Sequence, residues 1–577
     1  QDEYIRKKIL ASLTATHFND SLLGMGHEFK AGVEWERSEY HRDWYQANPY
    51  YSYWRDYAAG DPYYYSSKDK RGRLRIRYCP ESKGRWNVRD HTLRLSGFIQ
   101  DNIKSGRIVV NLGVRFDYSY QFEPLQSRPE LRYDYGPDLL VPGLDSNALL
   151  EALIEQYHRK IGPVSPFDPL TTPYKRIVEF KTFSPRVGVV YDIFGNGKTA
   201  FKLAFSRYYE PIWSSKYNSA QIFGPGSLDY YWNDLNGNKL MDLPPVDSYR
   251  LISIPVQDPN YNYYPSDIKP PYMHEILGGI EQELSKDFLL SIKFVWKENK
   301  NLIEDVDINN GYDPAATDAN GTYWIPYTFT DPGWDGIFGT PDDQKLTVYG
   351  LRDDRPAKIW MGGNPPEARR KYWAVIFGLD KRMANSWQMK GSIIYSSFKG
   401  NASPEYEATG GETFMFNDPN TLINSYGALF FDRPLQIKLM FTVLLPRDFS
   451  VSTYFQHLSG SPWTRTLERI YFPPDFPVME SFVTVNAEPL GSRRNAPYTN
   501  LDLRLEKAFS IKKLGTVSVY ADIFNLGGFS GLNLYDNPNA RLWFYEDPPR
   551  YELDHLYGKA ASVFGVRSIR IGARFNF

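Results

Sequence analysis

The sequence predicts an all-β fold: an antiparallel transmembrane β-barrel with long loops at one end and short turns at the other. Three observations predict it. Apolar and polar residues alternate with period 2 along the whole 577 residues, the spacing that sorts side chains onto the two faces of a strand. The connections alternate between tight turns and long segments. Aromatic residues make up 16% of the chain (44 Tyr, 35 Phe and 14 Trp) against 23% charged residues, an unusual aromatic load for a polar chain.

About fifteen strands follow from the alternation. The first two centre on 5–18 and 27–40, joined by a short turn at 19–26. The next pair, 91–104 and 107–122, meets at "SGR" (105–107); Val110, Leu112, Val114, Phe116 and Tyr118 alternate there with Asn111, Gly113, Arg115, Asp117 and Ser119. Strands 180–194 and 198–209 meet at "FGNGK", and 272–284 and 287–302 at "SKD", with Leu290, Ile292, Phe294 and Trp296 on one face. Strands 370–383 and 387–399 meet at "ANS". Strands 431–445 and 448–458 meet at "PRD", with Leu435, Ile437, Leu439, Phe441 and Val443 together. Strands 497–510 and 515–526 meet at "KKLG". There Leu501, Leu503 and Leu505 oppose Asp502, Arg504 and Glu506, and Val517, Val519, Ala521 and Ile523 share a face. The last strand, 566–577, sets Ile569, Ile571, Ala573, Phe575 and Phe577 against Arg570, Gly572, Arg574 and Asn576. These short links suit tight hairpins.

The other connections are long: 43–90, 124–177, 211–270, 304–369, 401–429, 459–492 and 527–565, rich in Pro, Gly, Asp, Asn, Tyr and Trp. "RGRLRIRY" at 71–78 reads as a strand within a loop, and "SNALLEALIEQYHRK" at 146–160 is the one good helix candidate. In lipid every backbone donor and acceptor needs a partner, so a spanning sheet must close, with lipid-facing and lumen-facing residues in alternation. A soluble sandwich also alternates, but it does not set every long loop at one end of so many strands. By the alternation Arg94, Arg115, Asp117, Lys202, Arg504 and Asp522 point into the lumen.

Several classes are excluded. No stretch approaches the roughly 20 apolar residues of a membrane helix. The net charge of −1 gives no field for nucleic acid. Cys79 is the one cysteine, so no intrachain disulfide forms. The eight histidines show no metal-like spacing, and no GxSxG, HExxH or P-loop is present. No catalytic residue is expected.

Bacterial single-chain barrels have an even strand number and periplasmic termini. An odd count whose end strands run the same way leads to the expectation that further strands precede Gln1. A complete 16-stranded porin is the expectation if one strand is miscounted.

"LSGFIQDNIKSGRIVVNLGVRFDYSY" and "KTFSPRVGVVYDIFGNGKTAFKLAFSRYYEP" resemble consecutive hairpins of TonB-dependent outer-membrane receptors. "HEFKAGVEWERS", "APYTNLDLRLEKAFSI", "VYADIFNL" and "IRIGARFNF" are similar to the same family, closest to the large type with a carboxypeptidase-regulatory-like N-terminal domain. The resemblance covers essentially the whole chain. It implies a barrel of roughly 22 strands filled by a plug, of which 1–577 holds the later strands. It implies a bacterial outer-membrane location. The implied function is capture of a ligand by surface loops and its import with energy from the TonB complex. The plug motif and the box for that partner are not found before the first strand. The alternatives are a non-transporting adhesion or export-assembly barrel and a passive porin. Implied partners are outer-membrane lipid or lipopolysaccharide, the plug with the remaining strands, the barrel-assembly machinery and a surface lipoprotein. Phe575 and Phe577 resemble the C-terminal aromatic signal that the assembly machinery reads.

Two loops carry candidate calcium ligands. "DLNGNKLMD" sets Asp234, Asn236, Asn238 and Asp242 at positions 1, 3, 5 and 9, the hard-oxygen spacing of a calcium loop. "DPGWDGIFGTPDDQ" spaces Asp331, Asp335, Asp342 and Asp343 with Gly333, Gly336 and Gly339, which let the backbone fold around an ion. Similar Asp/Gly loops recur in the resembled family. The densest aromatic patch, 43–65, offers Trp44, Tyr45, Tyr50, Tyr51, Tyr53, Trp54, Tyr63 and Tyr64 as a ligand platform, because Tyr and Trp are large, stiff and amphipathic.

Overall fold

The computed structural model describes residues 3–44, 50–55, 74–79, 81–82, 86–128, 131–132, 148, 155, 170–212, 229–233, 235–236, 238, 242–253, 263–356, 358–402, 416–473, 476–479, 482–511, 514–534, 539–543, 550–553 and 559–577. One antiparallel sheet of 16 strands dominates. Fifteen of them follow in chain order: β1 Glu3–Leu22, β2 Met25–Trp44, β3 Trp86–Ser105, β4 Ile108–Glu123 and β5 Lys175–Asp192, then β6 Thr199–Tyr209, β7 Tyr272–Ser285, β8 Phe288–Lys300, β9 Arg370–Ala384 and β10 Trp387–Gly400, then β11 Leu435–Leu445, β12 Phe449–Leu458, β13 Tyr498–Ile511, β14 Gly515–Phe524 and β15 Ser568–Asn576. The remaining strand, Gly427–Ala428, adds to the outer end of β10. Every expected strand is present, and the first three run further than the alternation marked. Among the described residues β1 pairs with β2 alone and β15 with β14 alone.

The short turns close as tight hairpins. Leu23 and Gly24, Asn385 and Ser386, and Arg447 and Asp448 are pairs with positive φ. Such pairs give a hairpin bend whose twist matches that of the strands. At 194–198 the Asp192 carboxylate accepts the amides of Gly195 (2.9 Å) and Gly197 (2.8 Å), which folds the turn back on its own strand.

The register separates two faces. Leu13 and Val33 are paired, as are Leu112 and Val187, Ile292 and Phe377, and Ala521 and Ile571. Most of these apolar side chains are exposed: Leu13 by 72%, Ile292 by 52%, Ile571 by 78%. A continuous apolar face of this extent is unstable in water and stable in lipid. On the other face, Arg94, Arg115, Asp117, Lys202, Arg504 and Asp522 fall at the alternate positions, as the alternation requires.

Beyond the outer strand ends the long connections have structure of their own. The stretch at 71–78 contains the strand Leu74–Cys79, which pairs with Tyr50–Arg55 and with Asp229–Asn233. Of the expected helix at 146–160, Ala148 and Glu155 are described and helical. Three connections build a second core, treated next.

Candidate functional site

The outer cap grows from two hairpins, Trp324–Asp331 with Gln344–Leu351 and Thr466–Tyr471 with Phe482–Asn486. Their alternation, shifted by an irregularity between Leu467 and Ile470, puts Phe329, Val348, Leu467, Ile470, Val483 and Val485 into one buried cluster, completed by Phe472, Val478 and Ala487. Thr466–Tyr471 also pairs in parallel with Asn539–Trp543, so three long connections share the cap. A fourth enters through a short helix, α1 (Pro419–Leu422). Asp418 caps α1, accepting the Asn420 amide at 2.9 Å, and Pro419 sits in the first turn, where its missing N–H is no loss. The helix delivers Asn420, whose side chain donates to the Tyr349 carbonyl (2.7 Å) and accepts the Tyr349 amide (2.8 Å), standing in for a neighbouring strand.

One ion pair lies inside the cap. Asp331 is fully buried and Arg465 is 3% exposed. The guanidinium meets both carboxylate oxygens, with Nη1 donating to Oδ1 at 3.0 Å and Nη2 to Oδ2. Gln344 donates to Asp331 (2.9 Å) and to the Ala487 carbonyl (2.6 Å). Burial beside this pair pushes the Tyr551 phenol up to about 12. At the edge, Arg493 bonds Glu488 at 2.6 Å and lies over the Trp334 ring at 4.3 Å. Arg352 and Arg355 both hold Asp318, at 2.7 and 2.8 Å, and the Arg352 bond holds the Asp318 carboxyl at about 2.

Across the polar face of the sheet runs a ladder of ion pairs. Glu36 accepts from Lys8 (3.0 Å) and Arg94 (2.5 Å), and Arg115 bridges Glu34 (2.6 Å) and Asp117 (2.8 Å). Glu281 takes Lys202 (2.7 Å) and Lys293 (3.3 Å). Asp522 takes Arg504 (2.5 Å) and Arg570 (2.6 Å), tying β13, β14 and β15 together. A cleft of about 630 Å³ opens on this face, lined by Asp380, Lys390, Tyr454, Asp502, Arg504 and Asp522 among others.

A sheet of this topology, apolar on one side and charged on the other, is matched over residues 21–467 by the outer membrane beta barrel domain model. The chain belongs to the outer membrane β-barrel family. This places the apolar face against bacterial outer-membrane lipid and makes the charged face the lumen side. The outer membrane β-barrel protein is 23% identical over 459 residues to the TonB-dependent transporter Oar of Myxococcus xanthus, covering 68% of this chain and 38% of Oar. Among solved structures it is similar to the outer-membrane transporter YddB of Escherichia coli (13% identity, 96% of this chain, 53% of that one, TM-score 0.46). It is also similar to the closed form of the ferric-catecholate import receptor Fiu of Escherichia coli (11% identity, 100% of this chain, 55% of that one, TM-score 0.48). The chain thus spans well under two thirds of the length of each.

The outer membrane β-barrel protein places its sequence-derived candidates unevenly. Of the four aspartates of the Gly-spaced loop, Asp331 is turned away to Arg465. The other three gather around Thr340, whose hydroxyl donates to Asp342 at 2.7 Å. Asp342 also accepts the Trp334 amide (2.6 Å), and Asp343 accepts the Gly339 amide (2.8 Å). The Thr340 bond lowers the Asp342 carboxyl below its ordinary range. A Cβ on Gly333, at φ +68, would lie 2.2 Å from Asp342 Oδ2. In the other loop the amides of Asn236 and Asn238 donate to Asp242 Oδ2 at 2.7 and 2.6 Å, and Asp247 accepts the backbone of Leu235 and Asp242. Asp234 lies outside the described residues. Among the described residues no group of three or more His, Cys, Asp or Glu is disposed to hold a metal ion.

Of the aromatic platform, Trp44 ends β2, and Tyr50, Tyr51, Tyr53 and Trp54 lie on the loop strand Tyr50–Arg55; Tyr45, Tyr63 and Tyr64 lie outside the described residues. Phe575 faces lipid on β15 and its ring is 6.0 Å from that of Phe577. Sequence reasoning missed Arg465, Gln344, Glu488 and Asn420. An arginine or a glutamine in a polar loop carries no sequence mark of burial. Asn420 had one signal, the Asp-Pro helix start just before it.

Proposed function

We propose that this chain is the barrel part of a TonB-dependent outer-membrane receptor, taking ligand at its outer loops and importing it with energy relayed by TonB. The similarity to Oar, named as a TonB-dependent transporter, carries the reading. The folded cap above a charge-lined lumen supports it, since long loops held by a rigid scaffold are where binding residues concentrate. In this reading a plug fills the lumen, and further strands pair with the open edges of β1 and β15, because an unpaired strand edge in lipid is costly. The loop aromatics would give the contact surface, and the polar lumen the path.

The test uses the full natural polypeptide extracted from its own membrane. Purified TonB periplasmic domain should be retained on it. Energised cells should deplete at least one medium solute in a locus-dependent way that an uncoupler abolishes. Surface binding with neither result would favour the adhesion reading, and solute-driven swelling of liposomes holding the protein would favour the porin.

A further inference from the structure

At the outer ends of β3 and β4 the lumen face holds four polar side chains that stand apart from the ion-pair ladder. Register sets Thr92 opposite Gln121 and His91 opposite Phe122, and one step further it sets Asp90 opposite Glu123. Asp90 and Thr92 share the face of Arg94 on β3, and Gln121 and Glu123 that of Asp117 on β4. From Ile108 to Glu123 the strand rises about 50 Å, which a tilt of roughly 40° reduces to about 38 Å, well past the ~25 Å of a barrel's apolar band. The four side chains therefore lie above the lipid, where the connection into β3 and the connection out of β4 are rooted. Asp90 and Gln121 are fully buried, and Glu123 is 2% exposed. Among the described residues both amide atoms of Gln121, Thr92 Oγ1 and Glu123 Oε1 have no hydrogen-bond partner. Buried polar atoms left so are costly, and several side by side call for a cause.

The cause is a carboxyl in the wrong solvent. Val178 pairs with Gln121 from β5 and belongs to a buried apolar cluster with Ile177, Phe180 and Tyr264, so an ionised carboxylate beside it is poorly solvated. Among the described residues two charged groups act on Glu123: Asp90, which repels its charge, and Lys175, its partner on β5, which favours it. Burial first and Asp90 second push the Glu123 carboxyl up to about 8. From β2 Tyr40 faces Asp90, while Glu39, His41, Arg89 and His91 fall on the opposite face by alternation. A proton on Glu123 removes the repulsion and adds an O–H donor among acceptors that have none. Where β4 ends, Gln126 takes its place beside β3: its side chain accepts the Arg89 amide at 2.8 Å and donates to the Arg89 carbonyl at 3.1 Å. The closure next to Asp90 thus hangs on one side chain. We propose that Asp90 and Glu123 form a proton-held latch at the barrel mouth, closed while they share a proton and released when its loss sets two buried carboxylates against each other. Release frees the roots of both connections. The proposal rests on the fold and not on transport.

The sign follows from linkage. A carboxyl raised in the folded state supports closure fully below its ordinary value of 4.5 and loses that support as pH rises through about 8. The test is hydrogen exchange of the full natural polypeptide in mild detergent, read as protection with the intrinsic pH dependence of exchange divided out. Amides of 89–93 and 119–123 report the latch, and those of β11 are the reference. Loss of one proton makes opening about tenfold more frequent per pH unit from about pH 6, with a plateau above about pH 8. Glu123→Gln should remove the pH dependence. Asp90→Asn should move the plateau to lower pH and Lys175→Met to higher pH, shifts that a merely structural role would not produce; either variant decides the point if the other fails to insert. The proposal is overturned if parent protection changes by less than about threefold between pH 6 and 9, if Glu123→Gln keeps the parent's slope, or if the plateau stays in place in the charge variants. It is also overturned if replacing sodium by choline at constant ionic strength abolishes the closure, because a bound cation and not a proton would then hold the carboxylates.

Discussion

Asp331→Asn removes one charge from the cap and changes almost nothing in volume. The Arg465 guanidinium then stays at 3% exposure and loses the carboxylate that meets both of its Nη atoms. Breaking a buried pair from one side typically costs about 3–5 kcal/mol. At 1.4 kcal/mol per decade, local opening of the cap becomes roughly 10²- to 4 × 10³-fold more frequent. Native-state hydrogen exchange reads this directly. Amides in Gln344–Leu351, Thr466–Tyr471 and Phe482–Asn486 should lose protection, while those of β11 stay unchanged as an internal reference. Asp331→Leu/Arg465→Met, which removes both charges into apolar surroundings, should recover most of the protection. The reasoning fails if Asp331→Asn shifts cap exchange by less than about threefold. It also fails if the loss occurs only when calcium is chelated, because Asp331 would then act through an ion and not through Arg465.

Asp522→Asn should loosen the grip of β15 on β13 and β14. Its side chain is 6% exposed but its arginines are 37% and 59% exposed, so the loss is about 1 kcal/mol, measurable as a fall of a few degrees in seminative electrophoretic melting. Gly427→Ala would bring a Cβ to 1.7 Å from the Leu490 carbonyl oxygen; the forced backbone shift should cost about 1–3 kcal/mol, seen as faster exchange at Ala428, whose amide bonds that carbonyl. The Asp318 carboxyl lies at about 2 in the folded cap against 3.8 ordinarily. Its contribution is therefore complete above the unfolded value and fades as pH falls through the folded one. Pepsin should spare the Thr317–Thr322 turn near pH 4 and cut it as the pH approaches about 2, and Asp318→Asn should abolish that dependence.

The strand order, the two faces and the lumen-side charges were legible in the sequence because each rests on a period of two and on turn residues. Arg504 and Asp522, for example, fall opposite one another by register alone. The cap was not legible. Its cluster joins Phe329 of one connection to Leu467 and Val483 of another, and no local period announces which loops share a core. The aspartates show the limit most clearly. Asp331 and Asp335 look alike in a Gly-spaced loop, yet one is the last residue of a strand aimed inward at Arg465 and the other accepts the Ile337 amide in a turn (2.8 Å). Spacing identified the oxygen donors and said nothing about which cation each would meet.

The contact between Asp331 and Arg465 joins positions 134 residues apart. Closing so long a loop in a free chain costs about 4 kcal/mol of entropy. Strands β9 to β12 lie between the two residues, and once their hairpins are zipped the ends are already neighbours. Order of events follows from this. The cap has to condense after those strands pair, and the strand Asn539–Trp543 joins it later still, being supplied by the connection between β14 and β15. High contact order of this kind makes a slow, late step. A newly inserted molecule would pass through an interval with a formed wall and an unformed roof, and its surface chemistry would mature only after its place in the membrane was fixed.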